Sequence, residues 1–195
     1  MKTVFILVCC QLLATYSFSQ TWTTEQKEKA NTAKQVAYLT NAEKEVIQYI
    51  NLCRMYPADF ATNEVENYNG IPGIKDKSLK KYKNSLLKEL AGHSAWVPLQ
   101  VDKALNDDAR CFAHELSKNN KVGHERTECK ERQYAECLSF GMVTARQMVL
   151  EWLIDSGISS LGHRKNCLNS RYKKMGISMA SHADYGSCAV AEFSE

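Results

Sequence analysis

Asp155 is the residue whose placement says most about chemistry. Met148, Trp152 and Asp155 stand at i, i+4 and i+7, so they share one face of a helix. An acid is thereby aligned with two large apolar groups at a helix C-terminus, where the macrodipole opposes negative charge. Either it is buried with a compensating partner, or its side chain turns out to solvent at a frayed end. His163 follows eight positions later in Gly162-His163-Arg164-Lys165-Asn166. A histidine opening a helical turn faces the positive end of the dipole, which favours neutral imidazole, the form that binds a metal or accepts a proton. His124 lies in Val122-Gly123-His124-Glu125, and Glu136 lies between alanine and cysteine in an extended-looking stretch. A lone histidine is more often structural than functional, and no local zinc motif such as His-Glu-x-x-His links these residues. Ser159 and Ser160 stand near His163, but nothing around them resembles a nucleophile elbow.

The cysteines speak to compartment. Lys2 is the only charge ahead of an apolar run from Val4 to Ala14, and small residues follow at Ser17 and Ser19. That is the pattern of a secretory signal peptide over residues 1–19, and the run is too short to span a bilayer. Cys9 and Cys10 leave with it. Cys53, Cys111, Cys129, Cys137, Cys167 and Cys188 remain, an even set that reads as a disulfide framework in an exported chain. No Cys-x-x-Cys pair supports a thiolate metal site. The formal net charge of +3 is too mild to argue for a nucleic-acid partner, and no second long apolar run predicts a transmembrane segment.

Several elements must position these side chains. Residues 20–41 are polar and aperiodic, and read as a leader arm or loosely attached helix. Thr40 and Glu43 have capping-box spacing, Val46, Ile50 and Cys53 recur at helical spacing, and Pro57 ends that helix. Residues 64–98 are less regular, and the basic run Lys75 to Lys83 reads as a solvated face, with anionic lipid or glycan as the minority alternative. Asp102 caps a helix to about Lys118 whose stripe is Leu105, Ala109, Phe112 and Leu116, leaving His114 outside. A helix from Thr144 to Asp155 is apolar nearly all round, with Gly157 as its stop. Met175 to Ala180 and Cys188 to Phe193 read as two antiparallel strands joined by a turn. Helices followed by paired strands predict an α+β fold.

In order along the chain, these landmarks resemble the cysteine-rich secretory, antigen-five, pathogenesis-related (CAP or SCP-like) family over roughly residues 42–195. Asn51-Leu52-Cys53-Arg54…Pro57…Phe60 is similar to the family's first-helix signature, and Gly123-His124 to its Gly-His. Ala135-Glu136-Cys137-Leu138 is similar to its Gly-Glu-Asn-Ile. Trp152 to Gly157 followed by Gly162-His163-Arg164-Lys165-Asn166 resembles the shorter, bacterial-like Gly-His-Arg-x-Asn branch. The resemblance implies a three-layer α-β-α sandwich around a small antiparallel sheet. It also implies a central cleft holding His124, Glu136, Asp155 and His163. Asp155 replaces the commoner glutamate, Cys137 the asparagine and Ala135 the glycine. That replacement suggests a disulfide in which Cys129 or Cys137 staples the Glu136 strand, leaving Cys167 to reach Cys188 and Cys53 to reach Cys111.

Three functions remain open. As a binding protein, the cleft would hold a divalent cation, zinc most readily, or the protein would take a sterol, another lipid or an extracellular protein. As a hydrolase, a metal-bound water between His124 and His163 would act with Glu136 as general base. As a secreted scaffold, the four residues would form only a structural polar cluster.

Overall fold

The computed structural model describes residues 22–130 and 133–195. The expected signal peptide, residues 1–19, lies outside the described residues. At the centre is a four-stranded sheet in the order β1-β3-β4-β2. Lys174–His182 (β3) and Gly186–Ser194 (β4) form the expected antiparallel hairpin, and Ala135–Phe140 (β2) pairs antiparallel to β4. The two-residue strand Gln100–Val101 (β1) runs parallel to β3, so the sheet is mixed where a purely antiparallel one was expected. Two residues are too short to show an alternating pattern in sequence.

Side chains leave the sheet alternately, and each face meets its own helical layer. Leu138, Cys188 and Val190 pack against Ala109, Phe112, Ala113 and Leu116 of α5 (Lys103–Asn119). Cys137, Met175, Ile177, Ala189, Ala191 and Phe193 point the other way into the larger core. That core is filled by α2 (Asn41–Met55), α4 (Leu79–Ala91), α6 (Ala145–Ile154) and α7 (Gly162–Cys167). Burying each large apolar side chain contributes about 1.5–3 kcal/mol, so the two cores carry most of the stability. The N-terminal signals hold: Thr40 and Glu43 close a capping box on α2, and the Asp102 carboxylate accepts from Ala104 N and Leu105 N. His114 is exposed, as its helical phase requires.

Residues 22–39 are not a loose arm. Ala30 and Ala33 are fully buried, Trp22 lies against Tyr56 and Phe60, and the Asn51 side chain donates to Ala30 O at 3.0 Å. Small residues leave no helical stripe to read, yet fit a close-packed interior. Helix α1 (Thr24–Ala30), the short α3 (Pro57–Phe60) with its π-helical turn Ala61–Val65, and α4 complete this N-terminal part. Pro57 therefore starts a helix as well as ending one. Two buried arginines bind it to the rest. Arg54 donates to the carbonyls of Val97, Cys167, Asn169 and Tyr172. Arg164 donates to those of Leu153, Ile154 and Tyr82.

The disulfide pairing differs from expectation. Cys111 of α5 is bonded to Cys129, 18 residues on, which rules out both the Cys53–Cys111 pair and a Cys129–Cys137 staple. Cys111 stands on the exposed side of α5, whereas Cys53 is buried in the core across the sheet. Cys167 and Cys188 likewise belong to opposite cores, so they do not pair either.

Among the glycines, Gly176 of β3 has the least room for a side chain. A Cβ there would lie 2.2 Å from Asn106 N and 2.2 Å from the Leu105 carbonyl carbon, both backbone atoms of α5. Asn106 Nδ2 donates to Ile177 O at 2.5 Å across the same contact. Gly176→Ala must push α5 off the sheet and is expected to cost about 3 kcal/mol, read as a lower urea midpoint with unchanged slope.

Candidate functional site

The four residues implied by the family resemblance form two pairs. In the first, His124 Nδ1 lies 2.6 Å from Glu136 Oε1. His124 sits on the loop after α5, and Glu136 on the outer strand β2. In the second, His163 Nδ1 lies 2.8 Å from Asp155 Oδ1, and Asp155 Oδ2 accepts from the backbone N–H groups of His163 and Arg164 at 3.0 and 3.3 Å. Asp155 is 2 % exposed, so the choice between burial and solvent falls to burial. It adopts the left-handed conformation, φ 55°, at the C-cap of α6. That conformation, which aspartate tolerates better than most residues, turns the carboxylate back toward the first turn of α7. Gly157 is not the residue that stops the helix.

The pairs meet along the seam between β2 and α7. Asn166 Nδ2 donates to Glu136 O at 3.0 Å, and Cys137 Sγ lies 3.7 Å from His163 O. In each pair the carboxylate engages Nδ1 and leaves Nε2 as the free ring nitrogen. That is how carboxylates orient imidazoles, rather than how four ligands surround one ion. Among the described residues no three His, Cys, Asp or Glu side chains gather so as to hold a metal. A guanidinium also sits in the first pair, where it opposes a cation. The donor set as arranged does not fit a four-ligand zinc site.

That guanidinium belongs to Arg126, which the sequence did not single out. It bonds Glu136 at 2.5 Å, Asp108 at 3.0 Å and also Glu192, and lies 4.2 Å from the Phe112 ring centroid. Glu192 on β4 stands directly opposite Glu136 on β2, a like-charge cross-strand placement that is unfavourable when both ionise. Burial, then the neighbouring Glu136, push the Glu192 carboxyl up to about 9. Burial pushes Glu136 up as well, but hydrogen bonds from His124, Glu192 and Arg126 outweigh it and hold Glu136 below the usual range. One proton is thus kept on Glu192 and shared toward Glu136. The Glu136 hydrogen bond raises the pKa of His124. A single acid in the closing strand, Glu192, was the available signal, but only strand register shows what it faces.

The loop bearing His124 and Arg126 is anchored by Glu115 of α5. Burial pushes this carboxyl up, but Cys129 N, Thr127 N and Oγ1, and Glu128 N all donate to it and bring it down to about 2. The Cys111–Cys129 disulfide closes the same loop onto α5.

Glu192 generates a pH prediction. Its folded pKa lies above its unfolded value, so between about 4.5 and about 9 the folded state holds a proton the unfolded state has released. Stability therefore falls as pH rises through that window. Glu192→Gln keeps a donor and removes the titration. At pH 8 the variant is expected to melt roughly 3 °C or more above the parent, a gap that closes toward pH 5, in thermal melts across that range.

No curated protein matches the chain. Among solved structures, an outer surface protein of Borrelia burgdorferi is 21 % identical, with a TM-score of 0.40, covering 62 % of this chain and 94 % of its own. A cysteine-rich secretory protein of Staphylococcus aureus is 17 % identical, with a TM-score of 0.32, covering 67 % of this chain and 42 % of its own. The family model of the cysteine-rich secretory proteins, CAP, matches residues 92–193, more than half the chain, and the chain belongs to that family.

Proposed function

We propose that this CAP protein is exported and non-enzymatic, and that it binds the acyl chain of an anionic single-chain lipid on the face formed by α4, α6 and the loop before α4. The observation that carries this reading is a pair of adjoining depressions. One is an apolar cavity of about 130 Å³ between Tyr68, Ile71, Ile74 and Leu79 on one side and Leu150 and Ile154 of α6 on the other. The second, of about 300 Å³, shares Tyr68 and Leu79 and is lined by Lys80 and Lys83. An apolar slot opening beside two ammonium groups suits a hydrocarbon tail with a negative head. Ile74, 62 % exposed, stands at the mouth.

Size limits the guest. Cavities of roughly 150 Å³ take a benzene-sized molecule, so this slot accepts a short length of acyl chain and not a fused sterol ring system. At the polar side, Asp76 is occupied by Ser78 N, Ser78 Oγ and Leu79 N, which directs an anionic head toward the lysines. Burial raises the Glu151 carboxyl at the cavity wall, which lessens its repulsion of an anion. The non-enzymatic part of the reading rests on the acids. Asp155 accepts three hydrogen bonds and Glu136 is shared among His124, Arg126 and Glu192, so each acid is engaged in holding an imidazole. Among the described residues, no helix is long and apolar enough to cross a membrane.

Calorimetric titration of myristate into the oxidised protein tests this. Ile71→Trp fills the slot and is expected to weaken binding at least tenfold, a loss of about 1.4 kcal/mol. Lys80→Glu is expected to weaken it several-fold at low salt, with the difference narrowing at high salt. Parent-like affinity in both variants, or no myristate binding by the parent, overturns the assignment and leaves the lysines as a solvated face.

A further inference from the structure

Three thiols converge on one point of the larger core. Cys53 of α2, Cys137 of β2 and Cys167 of α7 are 1 %, 0 % and 0 % exposed and belong to the same packed cluster. Cys137 Sγ lies 3.7 Å from His163 O and 3.8 Å from Asn166 Nδ2, so it presses on α7 one residue from Cys167. Burial and then the neighbouring Cys167 thiol raise the Cys137 thiol, so the two are near enough to act on each other's charge. Cys53 approaches from α2, whose next residue, Arg54, donates to Cys167 O at 2.9 Å. Cys188 is excluded: it lies on the opposite face of the sheet, with its thiol near Ala113 O and Ser181 O.

We propose that Cys137 and Cys167 form a second disulfide in the exported protein, clamping β2 to α7. Neighbouring buried thiols in an oxidising compartment are the expected partners for such a bond. The bond forms by exchange with a small-molecule disulfide such as oxidised glutathione. One cysteine thiolate attacks it, releasing one glutathione thiol and leaving a mixed disulfide. The second thiolate displaces the other glutathione. Two protein thiols thus become one disulfide, and one glutathione disulfide becomes two thiols. Burial pushes the Cys137 thiol well up, so the folded, reduced pair is a poor nucleophile and the bond forms while the chain folds. The consequence reaches the histidines. Cys137 follows Glu136, and Cys167 closes the helix that carries His163, so one covalent bond would join the strand of the first imidazole pair to the helix of the second.

Peptide mapping decides it. The full chain, secreted under oxidising conditions, is denatured in acid with an alkylating reagent, then digested without reduction and read by mass spectrometry. The expected result is a Cys137–Cys167 cross-link beside Cys111–Cys129, with Cys53 and Cys188 alkylated. Alkylated Cys137 and Cys167, or Cys167 joined to Cys53, overturns the proposal. A second readout uses Cys111→Ser/Cys129→Ser. There, reductant is expected to lower the melting temperature by about 10 °C, and adding Cys167→Ala to abolish the sensitivity. A melting temperature indifferent to reductant counts against the bond.

Discussion

The guanidinium of Arg126 is the charge on which the first half of the site depends. Two glutamates from adjacent strands, Glu136 and Glu192, are held face to face at the edge of the sheet, and Asp108 of α5 completes the ring. Glu192 is 1 % exposed, and taking its charge out of water costs several kcal/mol. The structure meets that cost in two ways at once: it keeps a proton on Glu192 and places a delocalised cation against the remaining charge. Arginine suits this place better than lysine, because its planar fork serves several carboxylates while its flat face rests on Phe112. Such a cluster is weak evidence of net stability. It is strong evidence of fixed geometry, because withdrawing any one member leaves the others buried and unbalanced.

The second imidazole is held by different means. Asp155 relies on no cation; it accepts two backbone N–H groups and the His163 ring, and does so from a left-handed helix cap. The difference extends to exposure, since the His163 side chain is 25 % exposed and that of His124 is 59 %. His163 is therefore the more enclosed of the two, and its ring and backbone N–H are both held by Asp155. His124 rides on a loop whose position depends on Glu115, the Cys111–Cys129 disulfide and Arg126.

Local signals in the chain were legible; long-range pairings were not. Capping at Thr40 and Asp102, the stripe of α5, the all-round apolarity of α6 and the closing hairpin are written in short-range spacing. Each is read correctly because one physical rule governs neighbours a few residues apart. Asp155 and His163 were also singled out on local grounds, and their pairing follows once the chain turns at Asp155. Arg126 and Glu192 escaped because their roles exist only after β2 and β4 register, 56 positions apart at Glu136 and Glu192. Helix α4 escaped because only Leu86 and Leu90 are buried in it, too few for a stripe amid lysines. The cysteine pairing failed for a related reason: spacing along the chain does not say on which face of the sheet a thiol will lie.

Arg164 gives the N-terminal part of the chain a bearing on the histidines. The family match begins at residue 92, while α4 and the loop that lines the apolar slot come before it. Arg164 follows His163 directly, is fully buried, and reaches across to Tyr82 O, Ser85 Oγ and Glu89 of α4. Its remaining bonds go to Leu153 O and Ile154 O at the end of α6, and Ile154 itself lines the slot. Arg164 thus ties α4 to the end of α6 at the residue next to His163, whose ring and backbone are held by Asp155. The slot and the second imidazole pair share a wall: Ile154 and Ser156 line the one, and Asp155 between them holds the other.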